Sequence, residues 1–235
     1  MTDTKWAFAQ YEKARPRLPK SVAQGACVKA ATLGEIAADF DVFLFDAYGV
    51  LNVGTTPIAG APARVAALQA MGKHVMVLTN GAAFPAADAL AKYRRYGYEF
   101  TPKNVISSRD ITAQHLAMQG LKRWAVMAPE GGSNEGLGVE IDLMEDAPET
   151  YTNAQGFLLI GSLSGIFEEA KRRFGAVSPE RVLMIGDTLH TDILGGAAAG
   201  YKTALITDHG MFKGEDVAGY IEKSGIAPDY IIPSI

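Results

Sequence analysis

Residues 42–46 read VFLFD, a short run of large apolar side chains that ends in a carboxylate. The runs VMVLTN (75–80) and VLMIGD (182–187) repeat this pattern, and a loop and a helical stretch follow each of the three. The first helical stretch is predicted to begin at Pro57 and to continue to about Met71. Almost wholly apolar strands that alternate with helices are typical of a parallel sheet covered on both faces. The sequence therefore predicts an α/β fold with a doubly wound parallel sheet.

The middle of the chain has a different pattern of apolar runs and loops. Two further strand-like runs, WAVMA (124–128) and GFLLI (156–160), lie there on either side of a loop rich in glycine. We predict that residues 108–161 form a small α/β cap that is inserted into the core. The core itself is predicted to consist of residues 1–107 and 162–235.

The three apolar strands end in polar residues that a parallel sheet brings to one edge. Asp46 ends the first strand, Thr79 and Asn80 end the second, and Asp187 ends the third. Ligands of doubly wound sheets bind outside the carboxyl ends of the strands, so this edge is the predicted site of chemistry. Thr79, Asn80 and Gly81 offer a hydroxyl group and closely spaced backbone N–H groups, which suit the oxygen atoms of a phosphate.

A further carboxylate, Asp192, follows Asp187 by five residues within GDTLHTD. Two carboxylates on one strand-to-helix turn that face Asp46 repel one another strongly unless a cation lies between them. Carboxylate oxygens and substrate phosphate are the ligands that Mg²⁺ prefers. A magnesium site is therefore the simplest prediction.

Structural roles stay open for the same residues. Asp46 by itself fits an Asx turn, and either Asp187 or Asp192 could cap the helix that follows. For Asp192, a supporting position behind the metal ligands fits as well as direct ligation does. We expect His190 to be a surface imidazole near the start of that helix.

Composition limits the classes of partner. The chain has 22 Lys and Arg residues against 26 Asp and Glu residues, a net charge of −4, which argues against nucleic acid and anionic membranes. It contains no stretch of about 18 apolar residues, and a single cysteine, Cys27, allows no internal disulfide. We therefore expect a cytoplasmic protein. Residues 1 to about 33 are interpreted as a peripheral amphipathic helix, with a homo-oligomer contact as the alternative.

Three ordered motifs carry a resemblance to a known family. FDAYGVL (45–51), LTNG (78–81) and GDTLHTDILGG (186–196) resemble the haloacid dehalogenase superfamily, in particular its phosphatase branch with a cap between the second and third motifs. The resemblance implies a HAD-like, Rossmann-type core and Mg²⁺-dependent hydrolysis of small phosphate monoesters through an aspartyl-phosphate. It also implies the following roles: Asp46 as nucleophile and metal ligand, the Tyr48 carbonyl group and Asp187 as metal ligands, Asp192 as support for the metal, and Thr79, Asn80 and Gly81 as phosphate ligands.

Two departures from the family pattern bear on activity. Family phosphatases usually carry a second aspartate two residues after the nucleophile as general acid and base, and here that residue is Tyr48, which we interpret as a wall of the substrate pocket. General acid–base help is worth about 10² to 10⁴ in rate. The family's third motif supplies a lysine, whereas residues 161–164 read GSLS, and Lys171 is interpreted as a solvated helix residue.

The cap is also short for this branch, because GFLLIG runs almost directly into SGIFEEAKRRFG. Together these departures predict weakened phosphatase activity. They leave open a non-catalytic module that binds metal and phosphate. A haloacid dehalogenase is a further alternative, because the letters FDAYG also occur in the first motif of those relatives.

Overall fold

The computed structural model describes residues 3–20, 24–79, 86–120, 123–127, 137–138, 140–143, 155–159 and 166–235. The chain divides into two compact units. The first unit comprises Met1–Val77, Tyr96–Tyr98 and Phe174–Ile235, and the second comprises Leu78–Arg95 and Glu99–Arg173. No helix among the described residues is long and apolar enough to cross a membrane.

The helices of the described residues are α1 (Thr4–Ala14), α2 (Ala61–Ala70), α3 (Ala86–Arg95), α4 (Ser108–Gln119), α5 (Ile166–Phe174), α6 (Leu194–Ala198) and α7 (Val217–Ser224). The strands are β1 (Val28–Lys29), β2 (Val42–Asp46), β3 (Asn52–Val53), β4 (Thr56–Pro57), β5 (His74–Thr79), β6 (Val105–Ser107), β7 (Arg123–Met127), β8 (Glu140–Leu143), β9 (Gly156–Leu159), β10 (Val182–Gly186), β11 (Lys202–Ile206) and β12 (Tyr230–Ile232).

A parallel sheet forms the centre of the first unit. Its strands follow the order β1, β12, β11, β10, β2 and β5, and β10 pairs in parallel with both β2 and β11. The side chains of Val42 to Phe45 in β2 alternate between the two faces, and all four are 0% exposed. Both faces of the sheet are therefore covered, which explains why the strands read as unbroken apolar runs. The predicted parallel α/β fold is confirmed.

The segment after β2 differs from the prediction. Pro57 does not open a helix but belongs to β4, which pairs with β3 as an antiparallel hairpin. Helix α2 begins only at Ala61, after Gly60 in the left-handed conformation with a φ of +82°. Proline fits an edge strand as well as a first helical turn, because both positions need no backbone N–H group.

The second unit contains its own parallel sheet, in the order β8, β7 and β9. Helix α4 begins at a capping box in which Ser107 and Asp110 accept each other's backbone N–H groups, and it ends at Gly120 in the left-handed conformation. Lys171 in α5 is exposed, as expected of a solvated helix residue. Residues 161–164, where the family's third motif is expected, lie outside the described residues.

A buried carboxylate anchors α5 within the second unit. Glu169 accepts hydrogen bonds from Nε of Arg172 at 2.7 Å and from Nε of Arg173 at 2.8 Å. Nη1 of Arg173 in turn donates to the carbonyl oxygen of Val105 at 2.8 Å. The hydrogen bonds from Arg172 are the main reason that the pKa of Glu169 is lowered to about 2. The carboxylate therefore links α5 to the backbone at the start of β6.

We predict that Glu169→Gln lowers the free energy of unfolding by about 2 kcal/mol at pH 7, because the largely buried Arg173 loses its charged partner. The folded-state pKa of Glu169 lies below its ordinary value of 4.5, so the contribution is complete above pH 4.5 and is lost as the pH falls towards 2. Denaturant unfolding at pH 7 and at pH 3 measures both effects. The matched control is Glu168→Gln on the exposed side of α5; an equal loss there, or the same deficit at both pH values, contradicts the interpretation.

Candidate active site

Asp46 is the last residue of β2, at the carboxyl edge of the sheet in the first unit. The chain then turns sharply, and the N–H group of Gly49 donates to the carbonyl oxygen of Asn52 at 2.9 Å. Gly49 has a φ of +77°, and a Cβ atom at this position would lie 2.5 Å from Oδ2 of Asp187. Only glycine therefore lets the loop after Asp46 pass so close to the carboxylate of Asp187.

Asp187 directly follows β10 and is 5% exposed. Its Oδ1 atom accepts a hydrogen bond from the hydroxyl group of Thr188 at 2.9 Å, and its Oδ2 atom accepts one from the backbone N–H group of Met211 at 2.8 Å. Gly210, with a φ of +69°, carries no side chain that would overlap this carboxylate. The loop after β11 thus closes on Asp187 and fixes its orientation.

Asp192 lies on a turn of π-helix, Leu189–Ile193, that precedes α6. The N–H group of Ile193 reaches back five residues to the carbonyl oxygen of Thr188 at 3.3 Å. Oδ2 of Asp192 accepts a hydrogen bond from the N–H group of Thr188 at 3.0 Å. The sequence predicted an ordinary helix here; the wider turn is of a kind found often at functional sites.

The structure brings the three predicted carboxylates together. One oxygen atom from each of Asp46, Asp187 and Asp192 lies within 4.8 Å of the others. Burial raises the pKa of Asp187, and it raises that of Asp192 well above the ordinary value, with further increases at Asp192 from the charges of Asp46 and Asp187. Three carboxylate oxygen atoms that repel one another fit a hard divalent cation such as Mg²⁺. Such a cation would lower the pKa values of Asp187 and Asp192.

The remaining predicted residues have different placements. Tyr48 lies two residues beyond Asp46 and is 53% exposed. Thr79 is buried at the end of β5. Asn80 and Gly81 lie outside the described residues.

The prediction for His190 is wrong. Its side chain is 1% exposed, and Nε2 lies 2.5 Å from Oε1 of Glu12 in α1. Burial is the main reason that the pKa of His190 is lowered, and the hydrogen bond to Glu12 opposes that change. The predicted N-terminal helix extends only over Thr4–Ala14, and one face of it packs directly against the turn that carries Asp192.

Sequence reasoning also missed the role of Met211. Met211 acts through its backbone N–H group, and almost every residue type has such a group, so the identity of the residue gives no indication of this role. The only signal was the glycine before it, Gly210, in a loop that follows a strand to the same sheet edge.

Comparison of the sequence with profiles of known families gives two matches. Residues 43–140 match the profile of a family described as haloacid dehalogenase-like hydrolase, and residues 162–235 match a second profile described as HAD-hydrolase-like. Together the two profiles cover well over half of the chain. The first begins in β2 and includes Asp46, and the second includes Asp187 and Asp192.

Individual proteins that resemble this chain are named as phosphatases. Human glycerol-3-phosphate phosphatase is 25% identical over 291 aligned positions, which cover 85% of this chain and 90% of the relative. Among solved structures, a possible sugar phosphatase of the HAD superfamily from Cytophaga hutchinsonii superimposes with a TM-score of 0.74 at 20% identity, over 88% of this chain and 98% of that one. The p-nitrophenyl phosphatase from Archaeoglobus fulgidus gives 0.69 at 18% identity, over 83% and 97%. The matched profiles, the shared fold and the carboxylates at the strand ends together show that the chain belongs to the haloacid dehalogenase-like hydrolases.

Proposed function

We propose that the protein is a Mg²⁺-dependent hydrolase of phosphate monoesters that acts through an aspartyl-phosphate on Asp46. The observation that carries this proposal is the convergence of Asp46, Asp187 and Asp192 within 4.8 Å at the sheet edge of a family member. The relatives described above are named a glycerol-3-phosphate phosphatase, a possible sugar phosphatase and a p-nitrophenyl phosphatase, which supports phosphate monoesters as the substrate class.

Two displacement steps follow from this arrangement. A carboxylate oxygen of Asp46 attacks phosphorus in line, the phosphorus–ester bond breaks, and the leaving oxygen keeps the electron pair and takes a proton from solvent. Water then attacks the phosphorus of the aspartyl-phosphate, which releases inorganic phosphate and restores the carboxylate of Asp46. A bound Mg²⁺ ion supplies positive charge that reduces the repulsion between nucleophile and phosphate.

The other residues hold the reactants. Asp46, Asp187 and the backbone carbonyl group of Tyr48 would hold the metal ion, and Asp192 would support these ligands. The resemblance of LTNG (78–81) to the family's second motif assigns phosphate binding to Thr79, Asn80 and Gly81. In this proposal the exposed ring of Tyr48 forms a wall of the substrate pocket.

Residues 108–161 form the cap in this proposal. The alignment with the human enzyme runs over 291 positions, more than the 235 residues of this chain, so that relative has additional residues within the matched span. The proposal that the cap is shortened rests on the sequence itself, in which GFLLIG runs almost directly into SGIFEEAKRRFG. A site under a small cap is more open to water and to bulky substrates.

The single cysteine supports a reducing, cytoplasmic location, and the net negative charge supports a small substrate rather than a nucleic acid.

Replacing the nucleophile tests the mechanism. We expect Asp46→Asn to reduce hydrolysis of a panel of phosphate monoesters by at least about 10³-fold in the presence of Mg²⁺, because an amide cannot form the aspartyl-phosphate. Release of inorganic phosphate is the measurement. The matched control is Asp39→Asn, an exposed carboxylate before the same strand, which keeps wild-type rates. Undiminished turnover by Asp46→Asn contradicts the mechanism, and tight binding of substrate by wild type without turnover favours the binding module.

The nature of the leaving group tests the role of Tyr48. A phenol is a much weaker acid than a carboxylic acid and donates a proton poorly at pH 7, so aryl phosphates with weakly basic leaving groups are expected to react faster than alkyl phosphates. Tyr48→Asp is predicted to raise kcat for an alkyl phosphate by about 10–100-fold and to change kcat for p-nitrophenyl phosphate much less. Tyr48→Ser, which opens the pocket without adding an acid, is the control. An equal gain from Tyr48→Ser would show that the ring acts sterically.

Steric room at Asp187 provides a test of the metal site. In Gly210→Ala the new methyl group overlaps the Asp187 carboxylate, whereas in Gly214→Ala, at a φ of +78°, a Cβ atom meets nothing within 4 Å. Both variants carry the strain of a left-handed alanine, about 1–2 kcal/mol. Only Gly210→Ala is expected to raise the Mg²⁺ concentration for half-maximal activity, by tenfold or more. Equal effects of the two substitutions on this concentration would contradict the placement of the cation at Asp187.

A further inference from the structure

Helix α1 encloses the ring of His190. Tyr11 stacks on this ring with centroids 5.3 Å apart and planes 8° apart, and Phe8 meets it edge to face with centroids 5.3 Å apart. Oε1 of Glu12 accepts the hydrogen bond from Nε2 at 2.5 Å. Because His190 stands between Asp187 and Asp192, the helix holds the middle of the turn that joins these carboxylates.

The first turn of α1 reaches the same site by a second route. The hydroxyl group of Thr4 donates to the carbonyl oxygen of Met211 at 2.9 Å. The N–H group of Met211 is the one that donates to Asp187. Helix α1 therefore touches both of the local structures that orient the buried carboxylates.

One face of the helix makes all of these contacts. Phe8 belongs to the same buried cluster as Leu189 and Ile193, the first and last residues of the turn of π-helix, so the docked face is part of the core. The opposite face is exposed, and Trp6 has 58% of its surface accessible. The contacts come from positions i, i+4, i+7 and i+8, which share one side of a helix. These positions are Thr4, Phe8, Tyr11 and Glu12.

The electrostatics of Tyr11 agree with this placement. Burial raises the pKa of its phenol, and the charges of Asp192, Asp187 and Asp46 raise it further. The side chain therefore lies within the electrostatic field of all three carboxylates.

We infer that helix α1 is a positioning element of the active site, which holds Asp192 through His190 and Asp187 through Met211 in the arrangement that binds the divalent cation. The inference rests on the proposed function, because it takes these carboxylates as the cation site. Tyr11 acts through His190 and is a positioning residue. Groups that orient metal ligands in this way typically contribute 10–100-fold to metal affinity.

Binding of Mn²⁺, a paramagnetic substitute for Mg²⁺, to the whole chain without substrate tests the inference. The electron paramagnetic resonance signal of free Mn²⁺ gives the affinity directly. Tyr11→Ala is expected to weaken binding by about tenfold or more, and Tyr11→Phe, which keeps the stacked ring, is expected to restore most of the affinity. Trp6→Ala removes an aromatic ring from the exposed face of the same helix and should leave the affinity unchanged.

A second variant covers the case in which Tyr11→Ala does not fold. Thr4→Val removes only the hydroxyl group that donates to Met211 and keeps the shape of the side chain. It is expected to weaken Mn²⁺ binding by about two- to fivefold. Thermal unfolding of each variant in EDTA confirms that affinity is compared between folded proteins.

The outcomes separate this inference from the proposed function. If wild type binds Mn²⁺, Asp187→Asn does not, and the affinities of Tyr11→Ala and Thr4→Val equal that of wild type, then α1 does not position the site and the inference is wrong while the cation site stands. An equal loss of affinity in Trp6→Ala also overturns the inference. If wild type binds no Mn²⁺, or Asp187→Asn binds it as well as wild type does, both proposals fail.

Discussion

Three carboxylates in a space less than 5 Å across are the constraint on which the rest of this structure depends. Asp187 and Asp192 are almost completely removed from water, and charges of one sign at this distance repel strongly in a medium of low dielectric constant. Burial raises the pKa of both residues, and the charges of Asp46 and Asp187 raise the pKa of Asp192 further. A divalent cation is the simplest way to relieve it at neutral pH, so the cluster is costly to the fold by itself and useful only with a ligand.

The surrounding chain is built to keep the carboxylates in place despite this cost. Gly49 and Gly210 give them room, and hydrogen bonds from Thr188 and Met211 fix their oxygen atoms. The turn of π-helix brings Asp192 back towards the end of β10. Backbone N–H groups and hydroxyl groups stabilise a carboxylate without neutralising it, so they leave its charge available to a cation.

The fold was largely predictable because it follows from short, wholly apolar segments. The run VFLFD (42–46) became β2 without a change of boundary, and its terminal aspartate came to the sheet edge as parallel topology requires. The meeting of Asp46 with the two aspartates of GDTLHTD was predictable for the same reason. Pro57 misled the prediction, because a proline satisfies both an edge strand and a first helical turn.

Long-range packing was the part that the sequence did not reveal. His190 is polar and lies near the predicted start of a helix, so an exposed side chain was the natural expectation. The structure instead encloses it with a helix whose Glu12 is 178 residues away in sequence. The matching signal, an aromatic stripe at Phe8 and Tyr11, is common on helices that have no part in a site. For the backbone N–H group of Met211, the only signal in the sequence was the preceding glycine, Gly210. These contacts depend on which helix covers which strand, and local patterns do not encode that choice.

The most direct test of the cation site is a crystal structure of the protein soaked in Mn²⁺, with anomalous scattering measured at the manganese edge. The structure predicts one strong anomalous peak within about 2.2 Å of carboxylate oxygens of Asp46 and Asp187, with Asp192 close behind them. A map with no peak between these carboxylates at millimolar Mn²⁺, or with its main peak elsewhere on the chain, would contradict the central claim.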